Sequence, residues 1–498
     1  MSKLKDLGQP EEFWEYFEQI SKIPHCSMYE EKIRGFIKEE GEKFGFKTQV
    51  DKIGNLVITI PPKSTANEKL ILQCHMDMVC EKNDDVKHDF SQDPLNLKIV
   101  EINNEKWITA DGTTLGADNG TGICYNLTVM KKIHNGNLNL NSLSIELLFT
   151  VQEENRLGAA KEIDKNMVEG NFLINLDSGE AGMITNGCTG GIGFIADVKT
   201  KPISIDQIEE KVIPLRLTLS GLMGGHSGGD INRGRGNAIK ILSHILWKLN
   251  NNYLLHIKSI NGGGVVNAIP REANAIVYFK EEQLSEIKSL INSIFSEIKK
   301  NYEGIEENIQ ISAEELKPDI NDTVISGNIQ EKLLDLLYIL PCGTLSVHPK
   351  IRAYAFVSTN LGIIKTEKEH IRIRMLHRSF SNYYNESTSE KIITLFEMSG
   401  LDINKTITES YPPWEPNFDS RLLKLAKDAY KELSNRDPLV ILIQGGLEST
   451  LLINLNPNME AIAIGPTAKD VHSPDERLNV KSVENTWNFL LKILQKLD

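Results

Sequence analysis

Five short stretches of this chain carry imidazole or carboxylate groups that could hold cations and move protons. His75 and Asp77 stand in QCHMD, Asp118 in GADNG, Glu153 and Glu154 in TVQEEN, Asp177 in INLDSGE and His472 in HSPDE. Imidazole and carboxylate together favour Zn²⁺, with Mn²⁺ or Co²⁺ as the other fitting ions. A carboxylate shared between two ions can bridge them at about 3.5–4 Å. Three ligand carboxylates, Asp118, Glu154 and Asp177, nearly balance two divalent cations. Without cations, carboxylates drawn together repel and raise one another's pKa. Each motif is weak alone: a histidine at a strand end is usually structural, an aspartate after a strand is often a helix cap, and adjacent glutamates usually face solvent. Their joint occurrence in this order reverses those odds.

The elements around them explain how such distant residues could meet. Residues 69–75, 144–151 and 172–176 are short apolar runs that predict buried strands, and His75, Glu153–Glu154 and Asp177 stand at or just beyond their ends. His472 follows another apolar run, 459–465. Residues 119–134 predict a helix, with Ile123, Leu127 and Met130 on one face and Asp118 immediately before it. Residues 30–44 predict another, through Ile33, Phe36, Ile37 and Phe44. Alternating strands and helices imply an α/β layer with a largely parallel sheet. In such sheets, ligands bind outside the carboxyl ends of the strands.

The middle of the chain has a different rhythm. Residues 211–220 alternate like a strand, and residues 235–249 predict a helix with Ile239, Leu242, Ile245, Leu246 and Leu249 inward. Further strands and two more helices, near 282–300 and 329–340, complete an α+β pattern. The α/β rhythm returns with a helix over 420–434 and the apolar run 439–443. The expected organisation is an α/β catalytic domain with a mostly parallel mixed sheet between helices, in two segments, 1–190 and 411–498, with an α+β lid domain inserted at 191–410.

Composition narrows the function classes. The 498 residues are 40% hydrophobic and 25% charged, as in an ordinary soluble protein. A net charge of −13 argues against a nucleic-acid groove. No stretch approaches the roughly 20 apolar residues of a membrane span, and the N-terminal segment lacks the apolar core of a secretion signal. The six cysteines, Cys26, Cys74, Cys80, Cys124, Cys188 and Cys342, are scattered without a CxxC pair. They read as reduced thiols of a cytoplasmic protein.

The motifs HMD, GADNG, QEE, NLDSGE, GGHSGGDI and HSPDE resemble those of the co-catalytic zinc peptidases that include carboxypeptidase G, aminoacylase and carnosinase. The longer phrases TTLGADNG, GLMGGHSGGDINRGRGNA, VVNAIPREA, YPPWEPN, GLES and IGPTAKDVHSPDERL resemble one branch, the aminoacyl-histidine dipeptidases. The resemblance runs from about residue 10 to the C-terminus. It implies a dipeptide substrate and two divalent metal ions, most simply zinc. His75, Asp118 and Asp177 would hold one ion, and Asp118, Glu154 and His472 the other. Asp77 would orient His75 through the second ring nitrogen. Glu153 would be the general base, taking a proton from the attacking water and returning it to the leaving amine. His226 of GGHSG would stabilise the oxyanion. Asn267 and Arg378 would bind the C-terminal end of the substrate, Arg through its planar fork.

The resemblance also implies a related amidohydrolase, deacetylase or tripeptidase as the alternative activity, since lid and pocket select the substrate. An inactive metal-binding scaffold is the remaining reading, opposed by the intact Glu153. A homodimer through the lid is a further implication. Gln444 stands where this branch often has histidine, Ser449 where it has cysteine, and Gln152 where Asp or Thr is more common.

Overall fold

Four parallel strands form the centre of an eight-stranded mixed sheet in the computed structural model, which describes residues 4–65, 68–155 and 162–498. The first three residues of the segment read for a secretion signal lie outside that range. The strands Leu143–Thr150, Glu68–His75, Phe172–Asn175 and Glu460–Ala463 lie side by side in that order. Lys47–Val50 and Leu56–Ile60 extend the sheet antiparallel on one side, and Met183–Cys188 and Leu439–Ile443 complete the other. The central strands are nearly continuous apolar runs because helices cover the sheet. The helix Glu11–Ile20 presents Phe13, Trp14, Phe17 and Ile20 inward at spacings of one, three and three. The helix Ala117–His134 is buried through most of its length, packed against the Glu68–His75 strand and Glu11–Ile20. The C-terminal helix Val480–Leu497 starts where the Asn479 side chain accepts the Ser482 amide, an N-cap of the expected chemistry.

These elements belong to one compact unit, Met1–Gly187 with Pro416–Leu442 and Leu447–Asp498. A second unit comprises Cys188–Glu415 with Ile443–Gly446. The return of four residues, 443–446, to the second unit leaves no mark in composition and was not foreseen.

The second unit is built on a nine-stranded sheet whose assigned pairings are all antiparallel. Its strands alternate: in Val212–Ser220, Leu215, Leu217 and Leu219 are buried, and in Gly190–Lys199, Phe194, Ala196 and Val198 are. That period of two marks a sheet with one face packed. The packing comes from the helices Ala238–Asn252, Leu284–Asn301, Gly327–Ile339 and Asn382–Met398.

Two expectations need correction. The helix predicted from residue 235 starts at Ala238, because the Asn237 side chain accepts the Lys240 amide at 3.1 Å and caps it. Arg235 turns instead to the carbonyl of Gly224 and to Asp230. The cysteines are not all free thiols. Cys26 and Cys80 form a disulfide, with Cα atoms 5.7 Å apart, across 54 residues of sequence. A pairing of that kind has no local spacing signal. Cys74, Cys124, Cys188 and Cys342 are not in a disulfide, and the first three are buried.

Candidate metal centre

The carboxyl edge of the parallel strands gathers the candidate site residues of the first unit. His75 is the last residue of its strand and is 1% exposed. Glu153 and Glu154 occupy the turn after Leu143–Thr150, and Asp177 follows Phe172–Asn175 by two residues. Asp118 enters the helix Ala117–His134 with non-helical dihedrals, φ −90° and ψ 104°. His472 lies in the turn between the short strands Ala468–Lys469 and Arg477–Asn479, which pair with each other. It therefore belongs to the edge of a small four-stranded sheet rather than to the strand Glu460–Ala463.

Two triads arise. One ligand atom from each of His75, Asp118 and Asp177 lies within 4.8 Å of the others, and the same holds for Asp118, Glu154 and His472. Asp118 is common to both. Its Oδ1 lies 3.0 Å from Nε2 of His75, and its Oδ2 lies 3.2 Å from Nε2 of His472. Oδ2 of Asp177 is 3.8 Å from Nε2 of His75. Oε1 of Glu154 is 2.9 Å from Nε2 of His472, yet this buried oxygen has no hydrogen-bond partner among the described residues. His75, Glu153 and Glu154 form a third close group, so Glu153 stands beside both triads.

The electrostatics fit divalent cations. Burial, then Asp118, push the Asp177 carboxyl well above its ordinary range. Burial likewise drives Glu153 up, with Asp177, Glu448 and Glu154 adding to it against His75. His472 is raised to about 10 by its contacts with Asp118 and Glu154. Burial lowers His75, but Asp118 and Asp77 overcome it and hold the ring well above its usual value. Both imidazoles are thus biased toward their charged forms beside the carboxylates, and binding of cations there would displace those protons. A carboxylate oxygen paired only with an imidazole, a shared aspartate and two imidazoles form a donor set suited to two such ions.

The supporting contacts are backbone groups held by buried carboxylates. Nδ1 of His75 lies 3.0 Å from the Asp77 carbonyl and 3.5 Å from its Oδ1, so the ring faces both. The Asp77 carboxylate has further work, because it accepts the amides of Glu153 and Glu154 at 3.0 and 3.1 Å and Oγ of Ser27 at 2.7 Å. Glu476, not singled out from sequence, accepts the amides of Leu115, Gly116, Ala117 and Asp118 at 2.7, 3.0, 2.8 and 3.3 Å. A carboxylate at a helix N-terminus meets unpaired amides and the positive end of the dipole. The visible signal was its place in HSPDE. Its partners, some 360 residues away in sequence, were not visible.

The remaining expected site residues lie in the second unit. Gly225–His226 pairs antiparallel with Ala268–Ile269, and the Asn267 carbonyl accepts the Ser227 amide at 2.8 Å, so His226 and Asn267 are neighbours. Nδ1 of His226 accepts the amides of Gly228 and Gly229, leaving the proton of the neutral ring on Nε2. Partial desolvation and then Arg378 lower its pKa. Gly228 is required there: a Cβ would come within 1.6 Å of the Gln444 carbonyl oxygen. Arg378 is 6% exposed and donates through Nη1 to the Tyr411 hydroxyl, and its buried Nε has no partner among the described residues.

Comparison with known proteins places this geometry in context. Residues 71–496 match the model of peptidase family M20/M25/M40. The chain is 32% identical to a cytosol non-specific dipeptidase of Escherichia coli (strain K12), over 100% of this chain and 99% of that protein. The crystal structure of aminoacylhistidine dipeptidase from Vibrio alginolyticus superposes with a TM-score of 0.91 at 32% identity, covering 99% of this chain and 98% of that one. That of aminopeptidase PepT from Bacillus cereus gives a TM-score of 0.58 at 15% identity, with 99% of each chain covered, a likeness of fold. The chain belongs to peptidase family M20/M25/M40.

Proposed function

We propose that this protein is a dipeptidase that hydrolyses the single peptide bond of unblocked dipeptides, aminoacyl-histidine dipeptides among them, with two divalent cations, zinc in the simplest case. The observation that carries this reading is the pair of triads sharing Asp118 with Glu153 beside them. The dipeptidase activities of the two relatives at 32% identity support it. His75, Asp118 and Asp177 would hold one cation, and Asp118, Glu154 and His472 the other. When bound, the cations supply the charge that acidifies a water and polarises a carbonyl.

The residues do the rest. Glu153 takes a proton from the attacking water as its oxygen bonds to the carbonyl carbon. It returns that proton to the nitrogen as the C–N bond breaks, releasing one amine and one carboxylic acid, which gives up its proton to solvent. Asp77 keeps Glu153 and Glu154 in place through their amides. In the second unit, read as the lid, His226 offers an N–H from Nε2 to the developing oxyanion. Asn267 and Arg378 bind the substrate's C-terminal carboxylate. A homodimer through the second unit and a cytoplasmic setting complete the reading. Among the described residues, no helix is long and apolar enough to cross a membrane.

The test is a hydrolysis panel with defined Zn²⁺, Mn²⁺ or Co²⁺ loading. Dipeptides should turn over, tripeptides and N-acyl amino acids should lag, and chelation should abolish activity. Absence of dipeptide turnover with metal bound would overturn the proposal.

A further inference from the structure

Below the ligand layer of the first unit lies a second layer of polar side chains that converges on Glu448. Oε2 of Glu448 accepts Nε2 of Gln73 at 2.7 Å and Oγ1 of Thr150 at 2.5 Å. Gln73 stands two residues before His75 on the same strand, hence on the same face one step down. Thr150 pairs with His75 in the parallel ladder and closes the strand that leads to Glu153 and Glu154. Gln73 also accepts, through Oε1, Nδ2 of its ladder partner Asn175 at 2.5 Å. Asn175 in turn accepts the Asp177 amide at 3.2 Å. One carboxylate oxygen is thus tied, directly or through one relay, to all three strand ends that carry ligands.

Ordinary packing does not account for this group. Gln73, Thr150 and Asn175 are 0% exposed and Glu448 is 1% exposed. Oε1 of Glu448 has no hydrogen-bond partner among the described residues. Burial pushes the carboxyl up to about 7. A leucine would fill a similar volume without desolvating an acid. What leucine cannot supply is an acceptor for two donors on adjacent strands. If both donors lost that acceptor, Gln73 and Thr150 would turn elsewhere, and the chain ends beyond them would lose their common anchor.

We propose that Glu448 is a positioning residue of the metal centre: by accepting Gln73 and Thr150 it fixes the strand ends bearing His75, Glu153–Glu154 and Asp177, and so sets the affinity of the site for cations. The inference rests on the reading of those residues as a metal centre. Its action is through hydrogen bonds to the acceptor oxygen. A glutamine, which keeps an acceptor oxygen, should therefore serve and a leucine should not.

The experiment compares Glu448→Gln, Glu448→Leu and Thr150→Val with the parent protein. Co²⁺ affinity is read by chelator competition, the visible spectrum of the Co²⁺-loaded protein reports ligand geometry, and apo-protein unfolding is followed separately. If the parent protein takes up no Co²⁺, the metal-centre reading itself fails. Given uptake, Glu448→Leu should bind about 10- to 100-fold more weakly with an altered spectrum. Thr150→Val should shift in the same direction by a smaller factor, and Glu448→Gln should stay within about 3-fold of the parent on that scale. Should Glu448→Leu not fold, Thr150→Val and Glu448→Gln decide between them. The proposal is overturned if Thr150→Val binds like the parent, if Glu448→Gln loses as much as Glu448→Leu, or if the variants lower only apo stability and leave the cobalt spectrum unchanged.

Discussion

In the first unit, parallel strands end together in a buried imidazole and half-buried carboxylates, whereas in the second, antiparallel strands enclose an apolar core and leave His226 and Asn267 exposed at a short ribbon. The difference follows from strand direction. Parallel neighbours bring all their carboxyl ends to one edge, so a residue just past each strand meets the others without any further device. Antiparallel neighbours alternate their ends, and residues meet there only through turns such as the Gly-rich segment around His226. The first unit therefore holds its candidate ligands by buried carboxylates that accept backbone amides, such as Asp77 and Glu476, and the second holds its candidates by close backbone approach at glycine.

Mutations can break this comparison at either unit. The largest expected effect is in the first. Glu153→Ala should lower kcat by about 10³-fold while elemental analysis finds the metal retained. His226→Ala, in the second unit, should cost about 10²-fold, the usual toll for one oxyanion donor. Steady-state kinetics on a dipeptide would measure both. A fully active Glu153→Ala would remove the base, and an unaffected His226→Ala would remove the lid histidine from the mechanism.

A smaller effect distinguishes how each unit is held together. Glu476→Ala strands four amides at the start of a buried helix and should destabilise the protein by about 3 kcal/mol. Denaturant unfolding of the metal-free protein reads it, and a loss below about 1 kcal/mol would mean the amides find other acceptors.

A further effect is a pH dependence seated in the second unit. His377 is fully buried, and that burial depresses its pKa to about 4. The unfolded chain takes up the proton near pH 6.5 and the folded chain does not, so the unfolded state binds more protons between those values. Stability must then fall as the pH drops from 6.5 towards 4, by about 3 kcal/mol from this residue. His377→Leu should flatten that part of the stability profile. An unchanged slope in calorimetry across this window would show that His377 is protonated in the folded state.

Much of the scaffold was legible because it rests on local patterns. The helix through Ile123, Leu127 and Met130 and the strand ending at His75 were evident from periodicity and from apolar runs. The start of the Ala238–Asn252 helix was misplaced because Asn237 competes locally as a cap. The Cys26–Cys80 pair was missed because nothing in either neighbourhood names the other. Glu448 and Glu476 stand within the motifs GLES and HSPDE, but no local pattern reveals their tasks, because their partners, Gln73 and Ala117, lie 375 and 359 residues away.

The sequence alone determined the chemistry on offer: which imidazoles and carboxylates follow which strands, how apolar each strand is, and which family's motifs they spell. Tertiary structure alone decided that Asp118 is shared by two triads, that His472 arrives from a small separate sheet, and that Glu448 underlies three strand ends. The physical reason is range. Periodicity and capping act over one or two turns of chain, while a buried carboxylate takes whatever donors the packed sheet presents, however far away in sequence they began.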